Sequence, residues 1–294
     1  MWPGSRVPTL RNDDARMPVP TFATMGTIVS LRVTEAATVL GDTAQVDAAQ
    51  LVETVFRRWD EQFSLYQADS ELSRVARGDV RLTEASASLR NCYALALDWR
   101  DRTQGVFTPH RADGVIDLSG VVKALAIAEA GRALRRSGLT NWSINAGGDV
   151  LVGGEPGDRF AAGESADRAT PLGTSGPAPA AVNVPAEWVV AIVDPADRGD
   201  VIARVPLRHP LRAVATSGSA ERGEHIWTAR NDLSPFRQVS VFAADIVTAD
   251  VLATAIVAGG AATLADMTTR FAIDVLAVLR DGQLLATPGL RRVD

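Results

Sequence analysis

Apolar residues along this chain follow two different spacings. Over 44–63, Val52, Val55, Phe56, Trp59 and Phe63 recur at intervals of three and four, which predicts an amphipathic helix from Ala44 to Phe63. The same spacing predicts a helix over about 83–102, with Gly105 at its C-terminal end, and another over about 120–137 stopped by Gly138. Strand patterns occupy other stretches: ATMGTIVSLRV as a first strand ending near Val33, then WVVAIVDP, LRAVATSG and QVSVFAA. NWSINAGGDVLVGG reads as strand, tight glycine turn and strand. TADVLATAIVAGG predicts a helix with Thr248 as N-cap, and a last helix leads into AIDVLAVL and QLLAT, which finish a sheet. Helices and strands alternate irregularly, several strand pairs are joined by short turns, and no internal repeat is present. The class expected is α+β, with mixed or antiparallel sheets flanked by helices.

Two stretches lack either spacing. Residues 153–186 are dominated by Gly, Pro, Ala and Ser, a composition that cannot bury enough apolar surface to offset its ordering entropy. They are expected to form a flexible insertion between strands. Residues 1–20 carry charges and four prolines but no apolar core of a signal peptide, so they are expected to be a disordered arm preceding one domain over 21–294. No run of membrane-spanning length stands out, and a cytoplasmic protein without a membrane anchor is expected.

Composition narrows the chemistry. With 46% hydrophobic residues the chain can bury a sizeable core, and a net charge of −5 without a basic block argues against nucleic-acid binding. One cysteine excludes an intrachain disulfide; Cys92, at helical spacing from Leu89, Tyr93, Ala96 and Trp99, is expected to be a buried thiol. Three histidines and one cysteine make a zinc cluster improbable, so any metal should be a hard cation held by oxygens. Lys123 is the single lysine of the chain, and DLSGVVKALA sets it near the start of a helix, where the dipole disfavours a cation. A nearby anion would resolve that conflict.

Four features carry candidate chemistry. Asp250 and Thr254, four residues apart, share one helix face and offer a carboxylate and a hydroxyl to a magnesium ion; equally, Asp250 would serve to complement the helix N-terminus. The glycine turns NAGGD and ATSGS follow strands, where small residues let backbone N–H groups approach a phosphate or simply turn the chain. His225, in a polar stretch, has the chemistry of a general base or of an exposed structural histidine. Tyr66 follows a helix in a polar loop and would either stack on a ring or fill the core.

Taken in order, MGT, SLYQADSEL, GVF, DLSGVVKALA, NAGGDV, ATSGS, His225 and ADVLAT resemble the ApbE family, the FAD:protein FMN transferases, over about residues 23–280. The resemblance implies an ApbE-like fold, related to the T-fold, with a flavin site between two halves. It implies a reaction in which the pyrophosphate of FAD is cut and FMN passes through its phosphate to a Thr or Ser hydroxyl of an acceptor protein, AMP leaving. By position, Met25 and Tyr66 would line the flavin nucleotide, and Val106, Phe107 and Thr108 would form another wall. Asp117 would hold a polar edge of FAD or its own loop, Lys123 would lie beside the pyrophosphate, and Ser217 would join the nucleotide-binding set. The Gly120 carbonyl, the Asp250 carboxylate and the Thr254 hydroxyl would bind Mg²⁺, and His225 would take the proton from the incoming hydroxyl. The run after His225, IWTARNDLSPF, departs from the family pattern. An FAD pyrophosphatase, with water in place of the protein hydroxyl, and a flavin-binding protein without turnover are the alternatives.

Overall fold

A computed structural model describes residues 19–34, 44–156, 187–218 and 234–291. Most of the expected N-terminal arm, residues 157–186 of the expected 153–186 insertion, and His225 lie outside the described residues, and Gly153, expected to open the insertion, closes a strand instead.

The first strand expected is a hairpin, β1 (Thr21–Thr24) and β2 (Thr27–Val33). Its two-residue turn sets both Met25 (φ 49°) and Gly26 (φ 68°) in the left-handed region, as a type I′ hairpin requires. Strand-forming residues run on either side of the turn, so the pattern reads through it. The helix α1 (Ala44–Phe63) occupies the predicted span. A short helix α2 (Glu71–Ala76), capped by Ser70, was not legible in the polar loop pattern. The next helix, α3 (Ala87–Arg102), starts later than expected, because a 3-10 turn over Leu82–Glu84 comes first and the Ser86 side chain caps Leu89 N at 3.2 Å. Then follow α4 (Ser119–Arg136), β3 (Trp142–Ala146), β4 (Asp149–Gly153), β5 (Trp188–Val193), β6 (Val201–Leu207), β7 (Ala213–Gly218) and β8 (Phe236–Ala243). The chain continues as α5 (Ile246–Arg270), β9 (Asp274–Leu279) and β10 (Leu284–Ala286).

Among the described residues, eight strands form one sheet in the order β1-β2-β3-β4-β7-β8-β9-β10, and every pairing is antiparallel. One face carries helices: α1 packs on α4, α4 on α5, and α5 on β7 and β8. The opposite face is covered at its centre by the two-stranded sheet of β5 and β6. Strand alternation divides the core accordingly. Leu151, Ala213, Ala215, Val239 and Val241 point to the helices, whereas Val150, Val152, Val214 and Phe242 meet Trp188, Ile192, Val205 and Leu207. Both faces being covered, β4 is buried along its whole length. The class is α+β, and the sheet is antiparallel throughout. Cys92 lies in the helical layer, and burial pushes its thiol up to about 12, so it stays protonated at neutral pH.

α5 corrects the sequence reading twice. Its N-cap is Asp245, not Thr248; the Asp245 side chain accepts from Thr248 N at 2.9 Å and from Thr248 Oγ1 at 2.7 Å. The separate last helix is the second half of α5, set off by a kink at Gly260 (φ 70°). By length and composition α5 could also cross a membrane, with a mean hydropathy of 1.7 over 18 residues, although no such run was expected. Here 61% of that stretch is buried within the protein, because α5 lies between α4 and the sheet.

The β3–β4 hairpin turns through Gly147 (φ 62°) and Gly148 (φ 92°). Gly147 N donates to Ile28 O at 3.2 Å, and a Cβ at Gly147 would overlap Thr27 Oγ1. Gly147→Ala therefore suffers both backbone strain and a steric clash. The expected cost is about 1–3 kcal/mol, read as a lowered denaturation midpoint with an unchanged denaturant slope.

Candidate functional site

Antiparallel pairing brings the β1–β2 turn, the β3–β4 turn and the C-terminal end of β7 to one end of the sheet, under the helices. Lys123 resolves the conflict noted in the sequence. It is the fifth residue of α4, because the helix begins at Ser119, so it opens the second turn rather than lying in the first. Its ammonium lies 2.5 Å from Asp149 Oδ2 and 4.0 Å from Asp250 Oδ1. The lysine side chain is 13% exposed, that of Asp250 6%, and that of Asp149 is completely buried. Burying an ion costs several kcal/mol unless it is paired, and here each charge has an opposite neighbour. The anions that hold this lysine are thus the protein's own carboxylates.

Asp149 is the residue that sequence reasoning left out of the site. It follows the glycine turn directly, as the first residue of β4. Pairing of β4 with β7 runs through Val150↔Val214; beyond it, Asp149 Oδ1 accepts from Thr216 N at 3.0 Å, a side chain standing in for a strand acceptor. The available signal was indirect: an acid opening an apolar strand, in a chain with one lysine to neutralise. The next residue of β7, Ser217, places its Oγ 3.2 Å from Thr254 Oγ1. Asp250 and Thr254 therefore do share a face of α5, with Asp250 against α4 and Thr254 against β7.

The GVF segment closes the helical side. A Cβ on Gly120 would come within 2.8 Å of Phe107 Cε2, so only glycine lets α4 start over that buried ring. Val106 Cγ1 would lie 2.9 Å from a Cβ on Gly259, beside the α5 kink. Thr108 and Asp117 make local contacts: Thr108 Oγ1 accepts from His110 N at 3.2 Å, and Asp117 Oδ1 accepts from Ser119 N at 2.9 Å at the head of α4. Met25 N donates to Asp60 Oδ2 at 3.5 Å, and its turn abuts the Gly147 turn through Thr27.

Tyr66 does not fill the core; it is fully exposed between α1 and α2. It edges a cavity of about 290 Å³ with Leu65, Ala68, Ser73, Ala76 and Arg77, none of them from the Lys123 cluster. Among the described residues, the structure brings Lys123 near Asp250 and Ser217 against Thr254, and sets Gly120 close over the Phe107 ring.

The donor set suits a hard cation. Asp250 supplies a carboxylate, Thr254 a hydroxyl one turn on, and Gly120 a main-chain carbonyl one turn before Lys123, all oxygens of the kind Mg²⁺ takes. Among the described residues, two carboxylates lie within 4.0 Å of the Lys123 ammonium, and Asp250 is the more distant of the two. Among the described residues no three His, Cys, Asp or Glu side chains gather to hold a metal, so such a site depends on the hydroxyl and the carbonyl.

The ApbE family model matches residues 25–115 and 110–278. No curated protein sequence matches significantly. Among solved structures, an ApbE protein from Thermotoga maritima superposes with a TM-score of 0.69 at 19% identity, over 93% of this chain and 98% of the other. The flavin transferase ApbE of Vibrio cholerae gives 0.67 at 18% identity, with the same coverages. The flavinyl transferase ApbE of Pseudomonas stutzeri, in its apo form, gives 0.69 at 16% identity, over 93% of this chain and 96% of its own. At these identities the likeness bears on the fold.

Proposed function

The chain belongs to the ApbE family, and from that premise we propose that it is a flavin transferase, moving FMN from FAD to a Thr or Ser of an acceptor protein. The acceptor hydroxyl attacks the FMN phosphorus, the pyrophosphate P–O bond to the AMP side breaks, and AMP leaves. The observation that carries this reading is the buried Asp149–Lys123–Asp250 cluster beside the Ser217–Thr254 pair. It is a preorganised set of charges and hydroxyls beside the Gly147–Gly148 turn, and ATSG, read from sequence as part of a turn, is instead the end of strand β7.

Asp250, Thr254 and the Gly120 carbonyl would hold Mg²⁺, which when bound supplies charge neutralisation for the pyrophosphate. Ser217 would hydrogen-bond a phosphate oxygen, and Met25, Val106 and Thr108 would bound the nucleotide. Asp117 holds the head of α4 in register by accepting from Ser119 N. Tyr66, being exposed, is open to stacking on a ring of FAD. His225 would take the proton from the acceptor hydroxyl. Positioning and electrostatics do most of the work, as in phosphoryl transfer generally.

The test is incubation of the purified chain with FAD and Mg²⁺, with and without a candidate acceptor, followed by nucleotide chromatography and fluorescence of the protein bands. Transfer gives AMP and a fluorescent acceptor. Free FMN with AMP in equal amounts means hydrolysis, a reading favoured by the altered run after His225. Unchanged FAD under all conditions overturns both.

A further inference from the structure

We propose that Asp149 is a positioning residue that keeps the Lys123 ammonium off Asp250, so that the Asp250 carboxylate keeps its charge for a divalent cation. The inference rests on the metal assignment above and extends it to a residue outside the donor set.

The geometry is an unequal contest for one ammonium. Lys123 Nζ lies 2.5 Å from Asp149 Oδ2 and 4.0 Å from Asp250 Oδ1, so Asp149 holds the close pair and Asp250 the distant one. Asp149 is fixed for this task. It is completely buried, its other oxygen accepts from Thr216 N at 3.0 Å, and its backbone is the first residue after a two-glycine turn. Lys123, by contrast, ends a flexible four-carbon stem. With the Asp149 charge removed, the acid next nearest among the described residues is Asp250, at 4.0 Å, and a shift of little more than 1 Å brings the ammonium into a direct pair at the usual separation of about 2.7–2.9 Å. A cation arriving there would meet a neutralised carboxylate and an adjacent positive charge.

Asp149 also reaches the second donor. Through Thr216 N it fixes the strand position just before Ser217, whose hydroxyl lies 3.2 Å from that of Thr254. One carboxylate thus sets the surroundings of both side-chain donors without being a ligand. Residues of this kind typically change metal affinity by about 10–100-fold when altered.

The test measures Mg²⁺ binding by the full chain without FAD, from the rise in melting temperature with MgCl₂ concentration and by calorimetry. Asp149→Asn keeps shape and still accepts from Thr216 N, but loses the charge; its Mg²⁺ affinity should fall about 10–100-fold. The double variant Asp149→Asn/Lys123→Met removes the displaced ammonium as well, and should bind Mg²⁺ at least as tightly as wild type, within a few-fold. A purely structural role for Asp149 would leave the double variant as weak as the single. Wild-type affinity in Asp149→Asn, or no recovery in the double variant, overturns the inference alone. A wild-type chain that does not respond to Mg²⁺ overturns the metal assignment and this inference with it. If Asp149→Asn does not fold by itself, the double variant still decides: binding like wild type supports the proposal, and weak binding overturns it.

Discussion

Asp250→Asn is expected to remove FAD turnover while leaving the fold intact. The substitution keeps volume and hydrogen-bonding capacity and deletes one buried negative charge. Lys123 keeps its close pair with Asp149, at 2.5 Å. No stability loss is expected without metal, and the melting temperature should stay level or rise slightly. Asp250 is the fifth residue of α5, beyond the first turn, so the helix dipole contributes little at this position. Activity should fall by at least about 100-fold, because a ligand matters more than the surrounding residues whose loss already costs 10–100-fold. Initial rates of AMP formation, measured beside melting curves, check this. A lowered melting temperature with normal turnover would make Asp250 a structural residue and end the metal assignment.

His225→Ala has the next largest expected effect. His225 lies outside the described residues, in the sequence between β7, which ends at Gly218, and β8, which begins at Phe236. A general base acts on the proton of the attacking hydroxyl and not on binding of FAD. The variant should therefore keep its affinity for FAD within a few-fold and lose roughly 10²–10⁴ in rate. Flavin fluorescence titration and single-turnover AMP release separate the two quantities. Equal rates for variant and wild type would remove His225 from the mechanism.

How much of this was legible in the sequence depends on the range of the interaction. Local periodicity identified α1, α4 and the β3–β4 hairpin almost to the residue, because helix spacing and a two-glycine turn are written in adjacent positions. It failed where two local readings compete. Met25-Gly26 turns the chain inside an uninterrupted strand-like run, and β6, with Pro206 near its end and Arg204 among its valines, shows no clean alternation. Asp245 and Thr248 both cap α5 by residue type, and only the geometry shows which accepts. In the site, the spacing of Asp250 and Thr254 placed them on one face, as observed. The pairing of Lys123 with Asp149 was not readable, since the partners lie 26 residues apart on a helix and a strand and meet only through the tertiary fold. The lysine's oddity was visible; its partner was not.

The most direct test of the buried cluster as a metal-dependent FAD-cleaving site is AMP release from FAD by the wild-type chain across a Mg²⁺ titration, from excess chelator to millimolar metal. The expected result is no AMP in chelator and a saturable rise with Mg²⁺, the rise shifting to higher metal concentration in Asp149→Asn. AMP release that is undiminished in chelator, or that is absent at every Mg²⁺ concentration with FAD bound, would contradict it.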